Sequence, residues 1–366
     1  MKAMILAAGL GERMRPLTEG RAKPSLPLLN RPIIAHTLDY LKRFKISEVV
    51  INLHHHPESI RAVVGDGSRL GLKVHYSEEP VILGTAGGLK KAEGFLRNGE
   101  AFILINSDFV SDWDLEAAVR KHREAGALST LVLAPPQPGT DYGVVELGER
   151  ERIVRISGRP AGEPDPHAGR YIFTGIHILE PAILDEIPSG RKVEINSEVY
   201  PRLIASGRMI RGVLHSGLWR ELGTPQLYID GSVALLKEGK DAALQPLRSS
   251  STPGVYLDRT TLPMDASLEP PVLVGRGVTI GPRCSLQGAV IGKQVRLGKG
   301  CSLRSTIVWD GARIGDGARL SDCIVTSGVY VPPEVILSNK IVLRVEGYQG
   351  KKDRLERLGG CWMTGF

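Results

Sequence analysis

The sequence predicts two architectures in one chain: an α/β domain with a mostly parallel sheet, followed by a parallel β-helix. Over residues 1–112, short apolar runs alternate with stretches of helical spacing, the pattern of strands joined by crossover helices. From Val274 onward apolar residues recur every 17 positions instead, as a stack of similar coils requires. At 366 residues the chain is long enough for two cores.

In chain order, Met4-Ile5-Leu6-Ala7-Ala8-Gly9-Leu10-Gly11 opens as a buried strand and ends in small residues that let backbone amides approach a ligand. Arg13, Arg15 and Lys23 follow, and forked guanidinium donors with an ammonium suit a polyphosphate. A nucleoside triphosphate is therefore expected over this loop. Pro32 to Phe44 has helical spacing, Glu48 to Leu53 reads as a strand, Pro57 to Val64 as a helix and Leu72 to Tyr76 as a strand. Gly84 to Leu96 reads as a helix, and Ala101 to Ile105 as a buried strand ending at Asn106-Ser107-Asp108. Ligands of such sheets sit at the C-terminal ends of strands, where Gly9 and Asp108 both fall.

Leu115 to Ala125 is helical, Ser129 to Leu133 a strand, Asp141 to Pro160 hairpin material and Tyr171 to Leu179 a strand. Pro181 to Ile187 and Val199 to Ser206 are short helices, Met209 to His215 is a strand, and Gln226 to Glu238 is a helix. This gives a first domain over 1–238, a linker over 239–254, coils over 255–340 and a tail, or short helix, over 341–366. In the coils the inward triplets are Val274/Ile280/Leu286, Ile291/Leu297/Leu303, Val308/Ile314/Leu320 and Val325/Val331/Leu337. Cys284 and Cys301 share one column on neighbouring coils and read as small buried filler.

The net charge of +7 is spread along the chain, with no basic block or aromatic-interleaved stripe, so small anions are preferred to nucleic acid. Four late cysteines make no disulfide framework. Neither a leader nor a run of eighteen apolar residues is seen, so a cytoplasmic protein with no membrane partner is expected.

The run Leu6-Ala7-Ala8-Gly9-x-Gly11-x-Arg13-x-Arg15-Pro16-Leu17-Thr18, with Lys23-Pro24 and Asn30-Arg31-Pro32-Ile33, resembles the signature of the nucleotide-sugar pyrophosphorylases, the sugar-1-phosphate nucleotidyltransferases. The coils resemble the hexapeptide-repeat left-handed β-helix. Together these imply a Rossmann-like transferase domain and a homo-oligomer assembled through the β-helix. The resemblance is nearest to the mannose-1-phosphate guanylyltransferase branch, through Asn106-Ser107-Asp108 and Leu83-Gly84-Thr85-Ala86-Gly87. It implies Mg²⁺ as cofactor and GTP and mannose 1-phosphate as substrates, giving GDP-mannose and pyrophosphate. UTP or dTTP with glucose 1-phosphate or another sugar 1-phosphate is the alternative enzyme, and a nucleotide-sugar-binding regulatory paralogue the alternative of another class.

What the resemblance implies residue by residue is as follows. Arg13 and Lys23 clamp phosphates, Asp108 holds the metal at the reaction centre, and Ala8, Gly9, Gly11 and Arg15 cradle the nucleotide tail. Glu79 reads the base edge beside Gly84, Thr85 and Gly87; a carboxylate only accepts hydrogen bonds, and guanine offers two donors. Tyr142, Gly143, Arg159, Gly175, Asn196 and Glu198 line the sugar phosphate. The second metal carboxylate falls on Glu221, in Trp219-Arg220-Glu221-Leu222-Gly223-Thr224-Pro225, where the family carries aspartate. Glu221, Arg159 in place of a lysine, and Asn196 in place of a glutamate all depart from the family pattern.

Overall fold

The computed structural model describes residues 1–97, 99–136, 143–239, 244, 248–249, 252–344 and 355–366. The chain divides into two compact units, residues 1–10 with 37–220, and residues 11–36 with 221–366.

The first unit is built on nine strands: β1 (Ala3–Leu6), β2 (Glu48–Leu53), β3 (Lys73–Glu78), β4 (Phe102–Asn106), β5 (Ser129–Ala134), β6 (Val144–Leu147), β7 (Ile153–Ile156), β8 (Gly169–Leu179) and β9 (Ile210–Leu214). Their order is β7-β6-β8-β4-β1-β2-β3, with β5 also on β8 and β9 beside β5. β1 pairs in parallel with both β2 and β4, so the ends of β1 and β4 open on the same edge of the sheet. β1 is fully apolar and central, with Ala3, Met4 and Ile5 at 0% exposure. β8 runs antiparallel to β4, β5 and β6, and its register against β5 shifts between Phe173 and His177. Gly175 lies in that shift at φ 91°, a conformation open to glycine.

Most helices match the sequence reading, because their stop signals are local. Leu115–Ala125 is capped by Asp114, which accepts from the Ala117 amide at 3.1 Å, and ends at left-handed Gly126. Two expectations are corrected. The helix expected over Gly84 to Leu96 breaks at Ala92 into Gly84–Lys91 and Glu93–Leu96. The short helix expected over Val199 to Ser206 runs Tyr200–Ala205, and Val199 instead closes a π-helical turn, Ile195–Val199.

In the second unit the left-handed β-helix stacks its coils in parallel register. Val274, Ile291, Val308, Val325 and Val342 stand in one column, Ile280, Leu297, Ile314 and Val331 in another, and Leu286, Leu303, Leu320 and Leu337 in a third. One further column went unread in the sequence: Leu273, Val290, Ile307, Ile324 and Ile341 point the other way, yet all are buried. The helix Pro225–Glu238, capped by Thr224 through the Leu227 amide at 3.2 Å, packs on the strands Ser267–Val274 and Ser285–Ile291.

The linker over 239–254 and residues 345–354 lie largely outside the described residues. Where a tail or short helix is expected, Glu356–Leu358 and Cys361–Gly365 form an antiparallel hairpin on Lys340–Arg344. Among the described residues no helix is long and apolar enough to cross a membrane.

Candidate active site

The first unit carries the end of β1, the Asp108 loop and the loops after β3 and β8. The turn after β1 is braced from two sides. The Ser107 hydroxyl donates to the Leu6 carbonyl at 2.6 Å, and the Ala7 amide donates to Asn52 Oδ1 at 2.7 Å. Asn52 Nδ2 in turn donates to Glu79 Oε1 at 2.8 Å, and the Leu83 amide donates to Glu79 Oε2 at 3.0 Å. Glu79 is only 2% exposed. Both its oxygens are thus engaged inside the protein, as burial of a carboxylate demands. It braces the Ala8-Gly9 turn against Leu83-Gly84, a role that its expected reading of the base edge did not include. A Cβ at Gly88 would lie 2.8 Å from Glu79 Oε1, so the brace needs glycine there. At Gly9 a Cβ would meet nothing within 4 Å, leaving that backbone open to a ligand.

Asp108 is half-buried between β4 and the short strand Phe109–Ser111. Thr85 donates from its amide (3.2 Å) and its hydroxyl (2.8 Å) to Glu194 Oε2. A Cβ at left-handed Gly84 would stand 2.6 Å from the Val193 carbonyl oxygen, and one at Gly87 3.0 Å from the Arg191 carbonyl oxygen. Glu194 was missed by the sequence reading, which singled out its neighbours. The signal was present in Glu194, Asn196 and Glu198 at alternate positions, but their contacts depend on the π turn.

In that turn Asn196 Oδ1 is buried with no hydrogen-bond partner among the described residues. Glu198 accepts from the Glu194 amide at 2.9 Å and from Arg191 at 3.1 Å, and these bonds, the backbone one first, hold its carboxyl below the usual range. Gly175 lies against Asn106, whose Nδ2 a Cβ would approach to 2.9 Å. Gly143 packs on Ser157, and Arg159 is exposed in the turn that follows β7. Tyr142 lies outside the described residues.

The second unit carries the rest of the glycine loop together with Glu221. Gly11 is left-handed at φ 63°, and a Cβ on it would press to 2.9 Å from Thr18 Cγ2. Its carbonyl accepts from the Thr18 hydroxyl at 2.8 Å, which curls the loop through Glu12–Met14. The Arg13 Nη2 then meets Glu221 Oε1 at 2.8 Å. The arginine side chain is 62% exposed and the glutamate 10%. Glu221 Oε2 is buried with no hydrogen-bond partner among the described residues. A Cβ at Gly223 would fall 2.2 Å from Glu221 Oε1, so the glycine of the Leu222-Gly223-Thr224-Pro225 run makes room for this pair. Arg15 faces Glu12 at 3.7 Å on the surface, and Lys23 is buried to 7% exposure.

Among the described residues no three or more His, Cys, Asp or Glu side chains cluster as a metal site. The unsatisfied Glu221 oxygen is nevertheless a hard, anionic donor of the kind a divalent cation takes, and phosphate oxygens complete such a shell. Donor chemistry and burial therefore fit the ion.

Compared with known proteins, the profile described as Nucleotidyl transferase matches residues 2–238, and that described as EIF2B subunit epsilon LbH domain matches residues 254–352. The chain is 33% identical over 319 residues to a UTP–glucose-1-phosphate uridylyltransferase of Synechocystis sp., covering 79% of this chain and 81% of that protein. It is 34% identical over 289 residues to a mannose-1-phosphate guanylyltransferase of Mycobacterium tuberculosis, covering 79% of each. A crystal structure from Bacillus anthracis, assigned as a glucose-1-phosphate thymidylyltransferase, superposes with a TM-score of 0.55 at 23% identity, over 64% of this chain and 94% of that one. That last likeness shows the fold alone.

Proposed function

The chain belongs to the nucleotidyl transferase family, and from that premise we propose that it is a mannose-1-phosphate guanylyltransferase, joining GMP from GTP to mannose 1-phosphate. By its family and relatives the enzyme is a sugar-1-phosphate nucleotidyltransferase, of a class that depends on a divalent metal. The observation that carries the reading is the Arg13–Glu221 pair, with an exposed guanidinium beside a glycine loop and a buried acid that keeps one oxygen unsatisfied.

The reaction needs no side-chain nucleophile. An oxygen of the sugar phosphate attacks the α-phosphorus in line, the bond to the β-phosphate oxygen breaks, and pyrophosphate leaves with that electron pair. Positioning and charge neutralisation do the rest. Arg13 and Lys23 are proposed to hold the phosphates of the NTP, with Arg15 as a second clamp. Ala8, Gly9 and Gly11 present backbone to the nucleotide, and Gly84, Thr85 and Gly87 shape the base side. Each Glu79 oxygen retains a second lone pair toward which guanine donors can turn. On the sugar side Asn196 Oδ1 is an acceptor waiting for a hydroxyl, and Gly143, Arg159, Gly175 and Glu198 are proposed around it. Mg²⁺, for which Asp108 and Glu221 are the proposed carboxylates, supplies further charge neutralisation when bound. Self-association through the coils is also proposed, supported by Tyr330 and Ile336, exposed at 52% and 75% on the last coil.

The uridylyltransferase relative, matching as much of the chain, favours UTP and glucose 1-phosphate as the second reading. Purified protein with Mg²⁺, a panel of NTPs and a panel of sugar 1-phosphates, followed by pyrophosphate release, separates them. GTP with mannose 1-phosphate is expected to be the fastest pair. Product from UTP but not GTP rejects the base assignment, and no product from any pair favours a nucleotide-sugar-binding regulator.

A further inference from the structure

At the corner after the first inward column, the repeat places Gly275 and Gly292 on successive coils. The corner is tight: a Cβ at Gly275 would lie 2.7 Å from the Gly292 carbonyl carbon, and one at Gly292 would lie 2.6 Å from the Asp310 amide nitrogen. On the next coil the same position holds Trp309, 5% exposed, which still keeps its ladder bond to the Val325 carbonyl at 2.8 Å. A bulky residue that breaks a local rule signals a compensating contact.

That contact is with the segment carrying Lys23. Trp309 Nε1–H donates to the Tyr228 hydroxyl at 3.3 Å, and that hydroxyl donates to the Pro27 carbonyl. The Arg21 guanidinium sits 5.6 Å from the centre of the Trp309 ring, within cation–π range. Lys23 lies between these two attachment points in sequence, and further along Asn30 Nδ2 donates to the Ile291 carbonyl at 2.9 Å. Burial pushes the Tyr228 phenol up, so it stays a donor at every physiological pH.

We propose that Trp309 is a positioning residue for nucleotide binding: through Arg21 on one side and Tyr228–Pro27 on the other, it sets Lys23 for the phosphates of the NTP. This rests on the reading of residues 9–23 as the NTP loop. Trp309 touches no substrate; it acts through Lys23, and nucleotide affinity thereby depends on the third coil of the β-helix.

The test uses the full chain, with pyrophosphate release measured while NTP and sugar 1-phosphate are varied separately. Trp309→Phe keeps an aromatic ring but removes the N–H; Tyr228→Phe removes the hydroxyl. Each is expected to raise KM for the NTP about two- to tenfold, the range of one net hydrogen bond, and to leave KM for the sugar phosphate unchanged. The melting temperature should stay within about 2 °C of wild type. Because the two groups act in series, the double variant should be no worse than the weaker-binding single one. Lys23→Ala should abolish turnover in every background. A wild-type KM for NTP in both single variants, beside an inactive Lys23→Ala, overturns the positioning role and leaves the NTP loop standing. Equal rises in both KM values with a large drop in melting temperature also overturn it, since that is the mark of packing alone. Wild-type enzyme that releases pyrophosphate with no pair removes the loop reading itself, and the positioning role with it.

Discussion

Two buried acids beside glycine turns, one in each compact unit, have opposite surroundings. Glu79 is 2% exposed with both oxygens hydrogen-bonded, to Asn52 and to the Leu83 amide. The Glu221 side chain is 10% exposed and has one oxygen on Arg13, the other unsatisfied among the described residues. A buried carboxylate with both oxygens bonded inside the protein is a brace. One with an oxygen unsatisfied carries a desolvation cost that the folded protein does not recover by itself. The difference teaches that an unsatisfied oxygen, more than burial or motif, marks the acid with capacity left for a cation.

The largest expected effect follows from Glu221. Glu221→Ala should lower kcat about 10²–10³-fold in the pyrophosphate assay. Its urea midpoint should correspond to a loss within about 1 kcal/mol, because the Arg13 partner is largely exposed. Glu79→Ala should do the reverse. The Asn52 amide and the Leu83 N–H lose their acceptor, and urea unfolding should register a loss of about 2–4 kcal/mol. If the two phenotypes were exchanged, the comparison would be broken.

The two units should also part company in acid. His177 is buried against the Tyr200 hydroxyl at 2.7 Å, and burial pushes its imidazole down to about 3; burial likewise lowers His122 and His215. The unfolded chain takes up a proton on His177 below about pH 6.5, whereas the native state holds off until about pH 3, so stability falls as pH drops through that window. Between pH 7 and pH 5 the loss from His177 is about 2 kcal/mol. The coils hold no histidine, and amide exchange should report the sheet of the first unit loosening before the β-helix does. The smallest effect is expected at the Thr224 cap: Thr224→Ala should cost about 1 kcal/mol in urea and leave kcat within about threefold.

The coils were legible because in-register parallel stacking turns a sequence period into columns, and Ile280-Leu297-Ile314-Val331 can be counted without tertiary information. The outer column from Leu273 to Ile341 was not, since the helix that packs on its first two strands, Pro225–Glu238, is distant in sequence. The closing hairpin was missed because antiparallel return strands carry no 17-residue period. In the site, the sequence placed Arg13 and Glu221 as charges, but the pairing of residues 208 apart is a property of the fold. Glu79 was assigned by the resemblance and its acceptor chemistry; its engagement with Asn52 needs the neighbouring β2 to be in place.

The bonds made by Pro27 and Asn30 reach 201 and 261 residues down the chain. On a ribosome adding about 5–20 residues per second, Asn30 is made roughly 13–50 s before its acceptor exists. The loop written first in the gene is thus among the last parts to be fastened. A nascent chain cut short before Tyr228 would emerge with its glycine turn encoded and both moorings missing.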